Sequence, residues 1–78
     1  MIMNKSQEKI LGILEKSAES LCISDIFMIL HKMSYNLSKV TIYHIVNNLV
    51  NSNSVVYDLM KHDNKRITKY FRYNYNKQ

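Results

Sequence analysis

The chain has 78 residues, a formal net charge of +5, one Gly, no Pro and one Cys, and at that length it buries only about 60–65% of its unfolded surface, enough for one modest core and no deep catalytic cleft. A single glycine excludes glycine-rich phosphate loops, the lack of proline leaves Asn to serve at tight corners, and a lone Cys22 excludes an intramolecular disulfide or a thiolate zinc cluster. No apolar run approaches a membrane span or a signal-peptide core, so a soluble protein of the reducing cytoplasm is expected.

The charge is unevenly placed. From Met1 to Met60, Lys5, Lys9, Lys16, Lys32 and Lys39 balance Glu8, Glu15, Glu19, Asp25 and Asp58, whereas from Lys61 onward Lys61, Lys65, Arg66, Lys69, Arg72 and Lys77 meet only Asp63. A basic end interleaved with aromatics is a footprint for a polyanion, because fixed positive charge displaces counterions from a phosphate backbone. A solvated tail that keeps the protein soluble would have the same count.

Along the chain, Ile10, Ile13, Leu14 and Ala18 recur at helical spacing, which predicts a first helix from about Lys5 to Ser20. Cys22 and Ile23 form a short extended link. Ser24 then offers an N-cap, Asp25 a first-turn negative charge, and Ile26, Ile29, Leu30 and Met33 one stripe, predicting a second helix from about Asp25 to Ser34. The polar turn "SYNL" leads to Ser38, the N-cap of a third helix reaching about Asn51. Two helices so closely spaced, the second rich in polar groups, form a helix-turn-helix.

Asn53 can take the left-handed conformation that ends a helix, and two β-prone runs follow, "VVYDLMK" and "ITKYFRYNY", with Asp63 and Asn64 suited to turn a hairpin between them. The expected fold is therefore α+β, mainly α: a single domain over residues 1–78, with a winged helix-turn-helix of three helices and a β-hairpin wing over about 55–74.

At 100 degrees per residue the third helix puts Ile42, Ile45, Val46 and Leu49 on its core face, with Val50 at the margin. Opposite lie Val40, His44, Asn47, Asn48 and Asn51, with Thr41 beside them and Tyr43 on the flank. Asn pairs with adenine edges, a Val or Thr methyl meets the thymine methyl, and a Tyr hydroxyl reaches a base or phosphate, so the strip suits a DNA major groove. Ser38 and Lys39, beside free backbone N–H groups, suit a phosphate. Against this, Asn is common on any solvated helix in so Asn- and Lys-rich a chain, and Tyr43 has the alternative of a packing role.

"LSKVTIYHIVNNLVNSNSVV" resembles the N-terminal domain of the ferric uptake regulator family, whose recognition helix has the form S-x-x-T-V-Y-R-x-L-x-x-L before a Gly-Leu-Val approach to the wing; Ser38, Thr41, Ile42, Tyr43, Val46 and Leu49 fall on that pattern. Ser24, Ile26, Phe27 and Leu30 match the family's preceding helix, and the similarity covers about Lys9 to Tyr73. The resemblance implies that Thr41 and Tyr43 touch DNA phosphate and base while the wing follows the neighbouring backbone. Three departures stand out. His44 replaces the usual Arg, which weakens a backbone contact. Asn53 stands where the family has Gly, and "SLCIS" replaces a His-rich segment. The family's C-terminal dimerisation and metal-sensing domain has no room within these residues, so metal sensing is not carried over.

The leading function is sequence-specific binding of double-stranded DNA by a small transcriptional regulator, with the third helix in the major groove and Lys61, Lys65, Arg66 and Lys69 on phosphates. A homodimer is expected, through edge pairing of "YFRYNY", through packing of that run on the first helix of a second copy, or through the apolar "MIM" start. The alternative is a winged-helix module that docks on a larger transcription or regulatory assembly, for which an apolar face would be expected. An enzyme is disfavoured, because acids are scattered and Cys22 has no basic neighbour in sequence. Cys22, His31, His44 and His62 lack zinc spacing, so no metal, cofactor or small-molecule substrate is expected.

Overall fold

The computed structural model describes residues 4–62 and 66–76, apart from the side chain of His62, and runs α1 (Lys5–Lys16), α2 (Ile23–Lys32), α3 (Lys39–Asn51), β1 (Val55–His62) and β2 (Arg66–Tyr73). Three helices followed by a two-stranded antiparallel hairpin make the winged helix-turn-helix that the hydrophobic pattern predicted.

Asn4 starts α1 with a capping box: its side chain accepts from the Gln7 N–H at 2.8 Å, and the Gln7 side chain accepts from the Asn4 N–H at 3.1 Å. The helix stops at Lys16, four residues short of the sequence expectation. Ser17 is the reason, since its hydroxyl donates to the Glu19 carbonyl at 2.6 Å and accepts from the Glu19 N–H at 3.2 Å, a local turn that competes with another helical turn. Leaving the helix there also lets Leu21 extend and pair with Phe71 through two backbone hydrogen bonds of 2.8 Å.

The second helix starts two residues earlier than expected. Cys22, not Ser24, is the N-cap, because Asp25 reaches back to accept the Cys22 N–H at 3.1 Å. At its far end Ser34 adopts φ 59, with its N–H donating to the His31 carbonyl at 3.0 Å and the Tyr35 N–H to the Leu30 carbonyl at 2.9 Å. That is a Schellman closure without glycine. Asn53 closes α3 the same way at φ 63, with Asn53 and Ser54 donating to Val50 and Leu49, as its position in the sequence suggested. The turn between α2 and α3 is fastened to α1 by Tyr35, whose hydroxyl lies 2.7 Å from the Ser6 hydroxyl and whose ring sits under the Lys9 ammonium at 5.0 Å.

Ile10 and Leu14 of α1, Ile26 and Leu30 of α2, Ile42, Ile45, Val46 and Leu49 of α3, Val55 of β1 and Phe71 of β2 form the buried core. Ala18 and Met33, expected on helical core stripes, are exposed: Ala18 lies beyond the end of α1, and Met33 is the C-cap of α2. In the hairpin Val55 faces Tyr73 and His62 faces Arg66, so β2 lies between β1 and the bridging residue Leu21. The expected edge pairing of "YFRYNY" meets a correction here, for at Phe71 that edge is already taken. The Asp63–Asn64 turn and the "MIM" start lie outside the described residues.

One residue sits at odds with helix propensity. Gly12 is in the middle of α1, where glycine costs about 1 kcal/mol relative to alanine, and a Cβ built there would meet nothing within 4 Å. Among the described residues no packing requires it.

Candidate nucleic-acid interface

The amphipathic period of α3 sends its four apolar positions inward and turns the opposite strip to solvent. Lys39, Val40, Thr41, Tyr43, His44, Asn48 and Asn51 are exposed, Val40 at 67%, and Asn47 is half-buried. The arrangement is a row of hydrogen-bonding groups with one branched apolar side chain near the helix start, which is where a helix entering a major groove makes its deepest contacts.

Ser38 is engaged within this strip. Its Oγ accepts from the Thr41 N–H at 3.2 Å and donates to Thr41 Oγ1 at 3.0 Å, so it serves the helix as N-cap and leaves the Thr41 hydroxyl proton free to donate outward. Tyr43 and His44 meet edge to face at 6.1 Å. The Lys39 ammonium lies 5.3 Å above the ring of Phe27, which itself stacks on His31 at 6.4 Å. This contact holds the lysine over the turn at the N-terminal end of α3, and no periodicity in either helix announced it.

The wing cations divide between two faces. Cross-strand partners share a face, so Val55, Tyr57, Leu59 and Lys61 lie with Tyr73, Phe71, Lys69 and Ile67 on the side that enters the core, while Arg66 is on the other. Lys69 sits 4.7 Å above the Tyr57 ring. Beyond the core that same face is apolar as well as basic: Leu59 is 61% and Ile67 63% exposed. On the outer face Arg72 Nε pairs with Asp58 Oδ2 at 3.2 Å, which removes one cation from the free set. Lys65 lies outside the described residues.

Tyr70, also on the outer face, has its phenol held above the ordinary 10.0, first by burial and then by Cys22 and Asp25, with a hydrogen bond to the Cys22 side chain adding to the shift. The base of the wing is thereby linked to the start of α2. Among the described residues no three His, Cys, Asp or Glu side chains come together to hold a metal ion, and no helix is long and apolar enough to cross a membrane.

No family model matches the chain and no curated protein resembles it in sequence. Solved structures do resemble it. A PadR-like transcription factor from Bacteroides fragilis superposes with a TM-score of 0.78 at 22% identity, over 87% of this chain and 64% of that one. The GAS PerR-Zn-Zn structure superposes with a TM-score of 0.74 at 22% identity, over 94% of this chain and 45% of that one. PerR from Streptococcus pyogenes, described for peroxide sensing and gene regulation, gives 0.74 at 20% identity over 94% and 48%. The chain thus spans about half to two thirds of the length of these proteins. The likeness reaches PadR-like and PerR structures alike, so it shows the winged-helix fold and does not single out the ferric uptake regulator family.

Proposed function

We propose that the chain binds double-stranded DNA in a sequence-specific way as a transcriptional regulator, with α3 in the major groove and the wing along the flanking backbone. The observation that carries this is the strip from Lys39 to His44, in which only Ile42 is buried, at the N-terminal end of the second helix of a helix-turn-helix. In this arrangement Val40, Thr41, Tyr43 and Asn47 read base edges. Ser38 sets the helix end, and Lys39 and His44 meet phosphates, as do Lys61, Lys65, Arg66 and Lys69 of the wing. The protein acts as a homodimer in the cytoplasm and needs no metal, cofactor or small molecule to bind. The structural neighbours are transcription factors, which agrees with a non-enzymatic role.

The test is selection from a pool of random duplexes at several salt concentrations, with the enriched sequences read out. A defined motif is expected, along with an affinity that falls with salt by a log–log slope of about −0.9 per phosphate neutralised. Salt-sensitive binding with no motif would remove α3 as the reader.

A second function is favoured by one feature, the exposed Tyr57, Leu59 and Ile67 on the inner face of the wing with Met60 behind them. An apolar wing suits a protein surface, as in a module docked on a larger transcription assembly. Leu59→Lys together with Ile67→Lys separates the two: docking on a protein is lost, while binding to duplex DNA is kept or strengthened.

A further inference from the structure

The backbone of Phe71 donates to and accepts from that of Leu21 at 2.8 Å each way, so both of its polar groups point away from β1. Its cross-strand partner Tyr57 therefore stands in a non-hydrogen-bonded pair. Such pairs alternate with bonded ones along an antiparallel ladder, which makes Leu59 opposite Lys69 and Lys61 opposite Ile67 non-bonded as well. The N–H and C=O groups of Tyr57, Leu59 and Lys61 consequently point out of the hairpin, along the outer edge of β1. Among the described residues no strand pairs with that edge: the sheet has two strands, and the bridge to Leu21 is on the far side of β2. Tyr57 to Lys61 are exposed without a break, and the edge has neither a bulge nor a proline to turn a further strand away.

We propose that an extended segment of a partner protein, acidic on one face, adds to the outer edge of β1 as a further antiparallel strand. Its side chains opposite Tyr57, Leu59 and Lys61 fall on the inner face of the wing, where the charged groups among the described residues are Lys61 and Lys69 and no acid accompanies them. Apolar residues opposite Tyr57 and Leu59 extend the exposed apolar surface, and a carboxylate opposite Lys61 meets the cation there. On the outer face the added strand lies beside Met60 and Asp58. Asp58 is already paired with Arg72 and disfavours a second carboxylate, so the acid belongs to one face alone. Opposite Lys61, Met60, Leu59, Asp58 and Tyr57 in turn, the segment reads acidic, apolar, apolar, uncharged, apolar. A second copy of β1 does not fit: its outward-pointing positions include no acid, its Asp58 is on the other face, and it brings a second basic wing to the first.

The added strand rests on the second function above, in which the wing docks on protein, and the two can fail separately. Amide hydrogen exchange of the full chain should be fast at Tyr57, Leu59 and Lys61 and slower at Asp58 and Met60, whose N–H groups face β2. The probe is the synthetic peptide Ser-Glu-Ile-Val-Thr-Val-Ser, which should slow exchange at Tyr57, Leu59 and Lys61 and leave Asp58 and Met60 as they were. Lys in place of the peptide's Glu should weaken binding by on the order of fivefold, and Lys61→Glu in the chain should reverse that preference. Pro in place of the peptide's first Val, opposite Leu59, removes a ladder donor and should abolish binding. Binding that the proline peptide retains, or that protects no alternate amides, overturns strand addition and leaves a protein-docking wing standing. Indifference to the Glu-to-Lys exchange overturns the acidic partner. No binding at millimolar peptide overturns the added strand, and the Leu59→Lys, Ile67→Lys pair then judges the docking wing by itself. Protection of the same three amides that grows with chain concentration alone gives the edge to a second copy and overturns the proposal too.

Discussion

Ser34 holds a left-handed backbone at φ 59 that costs a residue bearing a Cβ about 1–2 kcal/mol, whereas Asn53 at φ 63 is a residue type that tolerates it. Ser34→Gly should therefore raise the free energy of unfolding by about 1 kcal/mol and the melting temperature by about 4–8 °C, while Asn53→Gly should change little. Thermal melts of the two variants check this. Ser38 permits a sharper separation. Its hydroxyl caps α3 at the end proposed to approach phosphate, and Asp caps a helix as well as Ser. Ser38→Asp should keep the melting temperature yet weaken duplex binding, because a carboxylate meets the phosphates there. Unchanged duplex affinity would take the start of α3 out of the interface. His44→Arg should act in the opposite direction, strengthening binding to every duplex and steepening the salt slope by about 0.9.

In the proposed complex the elements divide the labour of recognition, and substitutions on each should fail differently. Tyr43→Phe and Asn47→Ala on α3 should alter which sequences are selected with little effect on the salt slope. Lys61→Ala with Arg66→Ala on the wing should weaken binding to all sequences alike and flatten the slope by about 0.9 for each phosphate no longer neutralised. Selection and salt titration on the same set of variants check both. The faces of α3 were legible in advance, since its four buried positions are those its period predicted, and so was the exposed strip. The ends of α1 and α2 were less legible. Ser17 and Asp25 each chose a local hydrogen bond over the pattern the apolar residues implied, and such contests turn on single side chains, which periodicity averages away.

For the whole molecule, Phe71 is where the parts meet: its ring is buried in the core with residues from all three helices, and its backbone pairs with Leu21 and with β1. Phe71→Ala should cost about 3–5 kcal/mol in a domain whose total stability at this length is about 4–12 kcal/mol. Urea titration should accordingly find much of the folded range gone. Neither the wing nor α3 would keep its orientation in such a variant, so specific DNA binding and dimer formation should fail together.

The amino-acid sequence by itself determined the kinds of element, their order, the winged-helix fold, both faces of α3 and the basic end of the chain, because each follows from local periodicity, cap and turn residues, or a count of charges. Tertiary structure alone decided how those parts address one another. The docking of Val55 and Phe71 in the core decided which wing residues look inward, which puts Lys61 and Lys69 among Tyr57, Leu59 and Ile67 and sets Arg66 apart. The crossing of α2 and α3 laid Lys39 over Phe27. Packing of α1 beside α2 opened a cleft between them, lined by Gly12, Ile13, Ile29 and Met33. A period says which residues share a face; only the packing of every helix and strand around one core says what that face meets.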